Sequence, residues 1–194
     1  MRAAYLLRIE LRDLKPAIYR EVVVDPGITL RKLHVVIQAA MGWDNAHMHA
    51  FALPTGSQRF WRVPRNRVFE PRNPDDWCEP ANDDARCKLS DVLRAPKDKL
   101  LYMYDFGDDW EHVVTLKALV EFDKPLPHLI KAQNGCPPED CGGPPGAAHW
   151  SAAWYDLQDP DHDTALRIYD GLEPGSLDFD ALQRAVKKLQ RKRA

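Results

Sequence analysis

The densest concentration of reactive side chains lies in Tyr104-Asp105-Phe106-Gly107-Asp108-Asp109-Trp110-Glu111-His112, where three aspartates, a glutamate and a histidine fall within nine residues. The stretch predicts two strands joined by a turn at Gly107 and Asp108. Period-two alternation sets Trp110, His112, Val114 and Leu116 on one face, with Asp105 at the end of the neighbouring strand. A carboxylate beside an imidazole can orient it for general base work or complete a metal shell. The same residues also suit a purely structural turn in which Trp110 packs and His112 bonds a backbone carbonyl.

Two further clusters have ligand-like spacing. In His47-Met48-His49 the imidazoles are two residues apart, so on a strand they point the same way and could share one metal ion; on an exposed strand edge they would simply be two surface histidines. In Cys136-Pro137-Pro138-Glu139-Asp140-Cys141-Gly142-Gly143 the two thiols could grip zinc if His149 or a more distant histidine completed a tetrahedron. Only two of the roughly four ligands that zinc requires are local, which favours a rigid Pro-Gly loop with packed thiols. Cys78 and Cys87 are nine apart and do not supply the close pair. Candidate metal ligands are thus His47, His49, His112, Cys136 and Cys141, for a divalent ion such as zinc.

Basic residues gather at Arg59, Arg62, Arg65, Arg67 and Arg72 and again at Lys187, Lys188, Arg191, Lys192 and Arg193. Either group could contact phosphate, although cations at the end of a terminal helix are also explained by its dipole.

These side chains need a scaffold, and its elements are visible in the apolar periodicity. Tyr5, Leu7, Ile9 and Leu11 share one face of a strand, and Ala17 to Val24 follows after a polar break, so the two predict a hairpin. Thr29 caps a helix whose stripe is Leu30, Leu33, Ile37, Ala40 and Met41, with Gly42 as terminator. Residues 47 to 53 and 59 to 63 look extended, and the Pro- and Asp-rich stretch from 64 to 86 reads as a loop insertion. Ser90 could cap a short helical turn. Residues 100 to 106 and 111 to 119 form the second hairpin. Pro, Gly and Cys between 125 and 145 argue against regular structure. Residues 149–157, 161–171 and 179–193 predict helices, a tail spanning 149 to 194. The order predicts an α+β fold with a mixed or antiparallel sheet, a β-grasp-like start of hairpin then helix, and C-terminal helices packed to one side.

At 194 residues, 44% of them hydrophobic, the chain suits one domain over 1–194. A net charge of -2 gives no global attraction to nucleic acid or acidic membranes. Arg8 and Glu10 interrupt the first apolar run, and no run reaches membrane-spanning length, so the expectation is a cytoplasmic protein without membrane association. Four cysteines are too few for a disulfide framework.

Several of these residues form a pattern: Leu14-Lys15-Pro16 with Ile18-Tyr19-Arg20, Leu30 to Leu33, Met41-Gly42-Trp43, His47 to Phe51, Tyr104 to His112 and Cys136 to Gly143. In this order, over roughly residues 1 to 155, the chain resembles the plasmid pRiA4b ORF-3-like family of bacteria and archaea. The resemblance implies one α+β domain, supports grouping the three polar clusters and transfers no catalytic residues; a plasmid or mobile-element context is part of the expected function. Names such as recombinase or resolvase, carried by some relatives, would require a serine or tyrosine nucleophile set among arginines. Ser57, Ser90, Ser151 and Ser176 all lie outside the highlighted clusters.

The expected function is a binding or adaptor domain for a protein partner. Its surface would combine Tyr104, Asp105, Asp108, Asp109, Trp110 and His112 with Glu139 and Asp140. The alternatives are a metal-dependent hydrolase or nuclease, and a DNA-associated accessory protein using the basic tail.

Overall fold

The computed structural model describes residues 1–72 and 82–190. Its strands are β1 (Arg2–Leu11), β2 (Ile18–Val24), β3 (His49–Ala52), β4 (Val68–Glu70), β5 (Asn82–Asp83), β6 (Lys99–Tyr104), β7 (Trp110–Phe122) and β8 (His128–Gln133). Its α-helices are α1 (Leu30–Met41), α2 (Leu89–Val92), α3 (Gly143–Tyr155), α4 (His162–Ile168) and α5 (Phe179–Lys188). All eight strands join one open sheet in the order β5-β4-β3-β6-β7-β1-β2-β8, antiparallel except between β4 and β5. The α+β class, the mixed sheet and the opening hairpin-then-helix are as the sequence predicts.

Alternation decides which side of the sheet each residue serves. Tyr5, Leu7, Ile9 and Leu11 of β1 join Tyr102, Tyr104, Trp110, Val114 and Leu116 in the principal core, beneath Leu33, Ile37 and Ala40 of α1, Ala147 of α3 and Val186 of α5. The opposite parity, Ala50, Ala52, Leu101 and Met103, faces a smaller core closed by Phe60, Val63 and Val68. The helices therefore cover one face, and the segment between β3 and β4 covers part of the other.

Helix α1 has the expected ends: Thr29 accepts a bond from the Lys32 amide, and Gly42 adopts a left-handed φ of 91° while its N–H bonds Gln38 O. Within the hairpin β1–β2, Arg20 is completely buried. Its guanidinium donates to the carbonyls of Ala40, Tyr19, Gln133 and Asn134 and to Cys136 Sγ, so a charge taken from water is met by fixed dipoles.

Several elements differ from expectation. Phe60–Arg62 is a 3-10 turn, because Phe60 is drawn into the smaller core and its amide donates to the buried Glu111. The 64–86 stretch supplies β4, the edge strand β5 and the buried Asp84. β8 and the first three residues of α3 lie between 125 and 145, where β8 pairs along β2 and prolines occupy the helix start that tolerates them. Helix α2 begins at Leu89, with the Asp91 carboxylate accepting from the Lys88 amide in place of a Ser90 cap. Cys78 and Arg191, Lys192 and Arg193 lie outside the described residues.

Candidate functional site

Three segments meet at the end of β6. The loop leading from α1 to β3 brings Asp44 to Met48, the β6–β7 turn brings Asp105 to Asp109, and the Pro137–Gly143 loop arrives from β8. The Tyr104 hydroxyl joins them: it donates to Glu139 Oε1 and accepts from the amides of Ala46 and His47 at 2.9 and 3.3 Å. The other Glu139 oxygen accepts from the Asp44 amide at 2.7 Å. Burial, and then the Glu139 carboxylate, push the Tyr104 phenol well above its ordinary value, so the hydroxyl stays a donor. Trp43 stacks on Tyr104 with centroids 5.3 Å apart and anchors the third loop by donating to Pro137 O.

The third loop is also clamped to the turn. Gly142 N donates to Asp108 Oδ2 at 3.1 Å, and Gly143 (φ 66°) packs so closely that a Cβ there would lie 2.2 Å from Asp108 O. Asp105 Oδ1 accepts from the Gly107 amide at 2.9 Å, leaving Oδ2 toward His47, whose Nδ1 is 3.6 Å away. Asp140 Oδ1 lies 3.2 Å from His47 Nε2. Asp105, Asp109 and Asp140 all hold left-handed backbone, with φ between 55° and 57°, a region that aspartate tolerates better than most residues.

The wall is thus formed by His47, Tyr104, Asp105, Asp108, Glu139 and Asp140. Asp109 stands at its rim, where it accepts from the indole N–H of the exposed Trp61 at 3.0 Å; Phe106 meets the Trp61 ring edge-on at 5.6 Å. Trp61, Asp44 and Trp43 were absent from the sequence-based site. An exposed tryptophan in an arginine-rich stretch is the one signal that could have marked Trp61.

Other expected members are elsewhere. Trp110 and His112 are fully buried, so neither belongs to an exposed surface; they lie beneath Trp43 in the principal core. His112 Nδ1 bonds Trp110 O at 2.9 Å, and burial pushes its pKa down to about 4. His47 and His49 do not share a ligand position, because β3 starts only at His49 and carries that side chain under α1. There the ring stacks on His34 and its Nε2 meets Asp84 Oδ2 at 3.0 Å. Cys136 packs against Arg20 and Met41, whereas Cys141 is buried under α3; burial pushes both thiols up to about 11, so neither is a ready thiolate. His149 pairs with Asp161. Among the described residues, the group with metal-ligand reach is His47, Asp105 and Asp140.

The basic stretch is largely committed to the fold. Arg59 pairs with Asp13 and Glu111, Arg65 with Glu70, and Arg67 Nε donates to Leu53 O. Lys187 borders a cleft of about 300 Å³ between β8 and α5, together with Lys124 and His128, remote in sequence from the Tyr104 wall. No described helix is long and apolar enough to cross a membrane.

Fold and site together define an α+β protein whose open sheet carries an acidic, aromatic-rimmed wall at one end. The chain belongs to the plasmid pRiA4b ORF-3-like protein family, whose pattern it matches over residues 3–185. A relative called uncharacterized protein y4hQ, from Sinorhizobium fredii (strain NBRC 101917 / NGR234), is 34% identical over 178 residues, covering 90% of this chain and 82% of that one. The crystal structure of a protein of unknown function, MM3350 from Methanosarcina mazei Go1, shares the fold with a TM-score of 0.77 at 23% identity, over 95% of this chain and 97% of its own.

Proposed function

We propose that the protein is a binding or adaptor domain of a plasmid or mobile-element system, and that the Tyr104 wall receives a partner-protein segment bearing arginine or lysine beside an apolar residue. The observation that carries this reading is the unbalanced charge of an ordered surface. Asp44, Asp105, Asp108, Asp109, Glu139 and Asp140 surround the Tyr104 knot, and His47 is the sole basic side chain in reach of their carboxylates among the described residues. Beside them Trp61 and Phe106 offer ring faces on which a guanidinium can stack. Such an arrangement selects a cationic, partly apolar segment by charge complementarity and repels nucleic acid.

The test is a titration of short fluorescently labelled peptides, followed by the anisotropy of the label, at two salt concentrations. Arginine-containing peptides should bind, more tightly at low salt, and should lose at least about ten-fold in affinity on Trp61→Ala or Asp109→Asn. Equal binding of acidic and basic peptides at low salt would rule the reading out.

The hydrolase or nuclease alternative retains the approach of His47, Asp105 and Asp140 in its favour. It loses His49, His112 and Cys141, which are turned into the interior.

A further inference from the structure

The geometry points to a divalent-cation site, best suited to zinc, formed by His47, Asp105 and Asp140 at the inner corner of the wall. The three side chains come from three separate segments, and one ligand atom of each lies within 4.8 Å of the others. An ion takes one ring nitrogen: the unpartnered Nε2 of His47 lies 3.2 Å from Asp140 Oδ1, near the spacing of about 3.4 Å between ligands that sit about 2.1 Å from a tetrahedral zinc, while Asp105 Oδ2 stands 3.6 Å from the other nitrogen, Nδ1.

An independent observation concerns the imidazole itself. His47 Nε2 has no solvent exposure and no hydrogen bond; Asp140 Oδ1 is near it but not aligned to accept one. A shielded ring nitrogen without a partner is an unmet requirement that a cation would satisfy. The surroundings supply what a metal centre needs around its ligands. Asp105 is buried, with Oδ1 tied to Gly107 N and the other oxygen turned to the site. The His47 amide is held by Tyr104, which fixes the ring's origin. Imidazole with two carboxylates favours a first-row divalent ion over magnesium, and three protein ligands leave a tetrahedral zinc one open position toward solvent.

The peptide reading draws on the charge of the whole wall, Asp105 and Asp140 included, but its test reads Trp61 and Asp109, which lie outside the three ligands, so the two readings fail on different results. Protein without a histidine tag, stripped with chelator, is titrated with Zn²⁺ against a chromophoric competitor. The expected result is one equivalent per chain, with affinity reduced at least about ten-fold by Asp140→Asn and by His47→Gln, and unchanged by His149→Ala or Cys141→Ser. Asp140 is largely exposed, so its variant keeps the test valid if His47→Gln misfolds. Cobalt substitution should give absorption free of thiolate charge-transfer bands. The inference is overturned by absence of saturable zinc binding, by Mg²⁺ binding as tightly as Zn²⁺, by full affinity in Asp140→Asn, or by loss of binding in either control variant.

Discussion

The imidazoles of His34 and His49 lie face to face, with centroids 3.5 Å apart and planes 6° from parallel. His49 Nε2 donates to Asp84, whose carboxylate is also bound by Arg31 Nε at 2.8 Å. His34 Nε2 donates to Asn45 Oδ1, and its Nδ1 accepts from Tyr102, which in turn accepts from Gln38. Asn45 is two residues from His47, so this buried chain of bonds sets the path of the loop that forms the wall.

Burial, and then the neighbouring His49, push His34 down to about 4, and burial does the same to His112. Both are neutral in the folded protein at pH 7, while in the unfolded chain they titrate near 6.5. Between about pH 6.5 and 4 the unfolded chain therefore takes up protons that the folded one refuses. Stability should fall by a few kcal/mol, roughly, as pH is lowered through that window, and the histidine contribution should level off below about pH 4. Urea unfolding at half-unit pH intervals checks this, and His112→Gln should reduce the slope.

Tyr104→Phe keeps the ring under Trp43 and removes only the hydroxyl. The loss should cost about 1–3 kcal/mol, and the amides of Ala46 and His47 should exchange faster than those of β6 itself. Hydrogen exchange read by NMR separates this local loosening from a general loss of stability.

Asp84→Asn removes the charge that Arg31 and His49 share. Asp84 is completely buried and Arg31 is partly exposed, so a destabilisation of about 2–3 kcal/mol is expected, below the range for a fully enclosed pair. The hydrogen bond from His49 and the charge of Arg31 hold the Asp84 carboxyl below its usual range despite burial. The defect should therefore be largest near neutral pH and begin to shrink as pH falls below about 3.9, where the unfolded carboxylate takes up its proton before the folded one. Chemical denaturation of both proteins at pH 7 and pH 3 measures it.

Gly143→Ala places a methyl group against Asp108 O in a backbone region unfavourable to alanine. The third loop must move away from the turn, so zinc affinity should drop while the β1–β2 hairpin stays intact. Gly171→Ala, which has the same backbone sign but open space around it, should lose stability without affecting the wall.

The scaffold was legible where the apolar pattern is regular: β1 with β2, α1 between Thr29 and Gly42, and β6 with β7. So was the meeting of the Tyr104 turn with the Glu139–Asp140 loop, through the shared family pattern. Parity also placed Trp110 and His112 on one face. It could not say that Trp43 and α1 cover that face, because covering is decided by residues far away in sequence. The His47–His49 pair was misread for a similar reason: two-residue spacing aligns side chains only inside a strand, and β3 begins at the second histidine. Asp84 was hidden in a stretch whose prolines read as loop, although its carboxylate is bonded by both Arg31 and His49.

Arg20 leaves a constraint on how the chain can be divided. Among the described residues its guanidinium is met by carbonyl and sulfur groups, contributed by Tyr19 and the end of α1 on one side and by residues 133–136 on the other. A fragment ending at β7 would retain the cation and lose three of its acceptors. The N-terminal hairpin and the segment that carries Glu139 and Asp140 are accordingly interdependent, because a dissected half would leave its cation without the carbonyls that stand in for water around it.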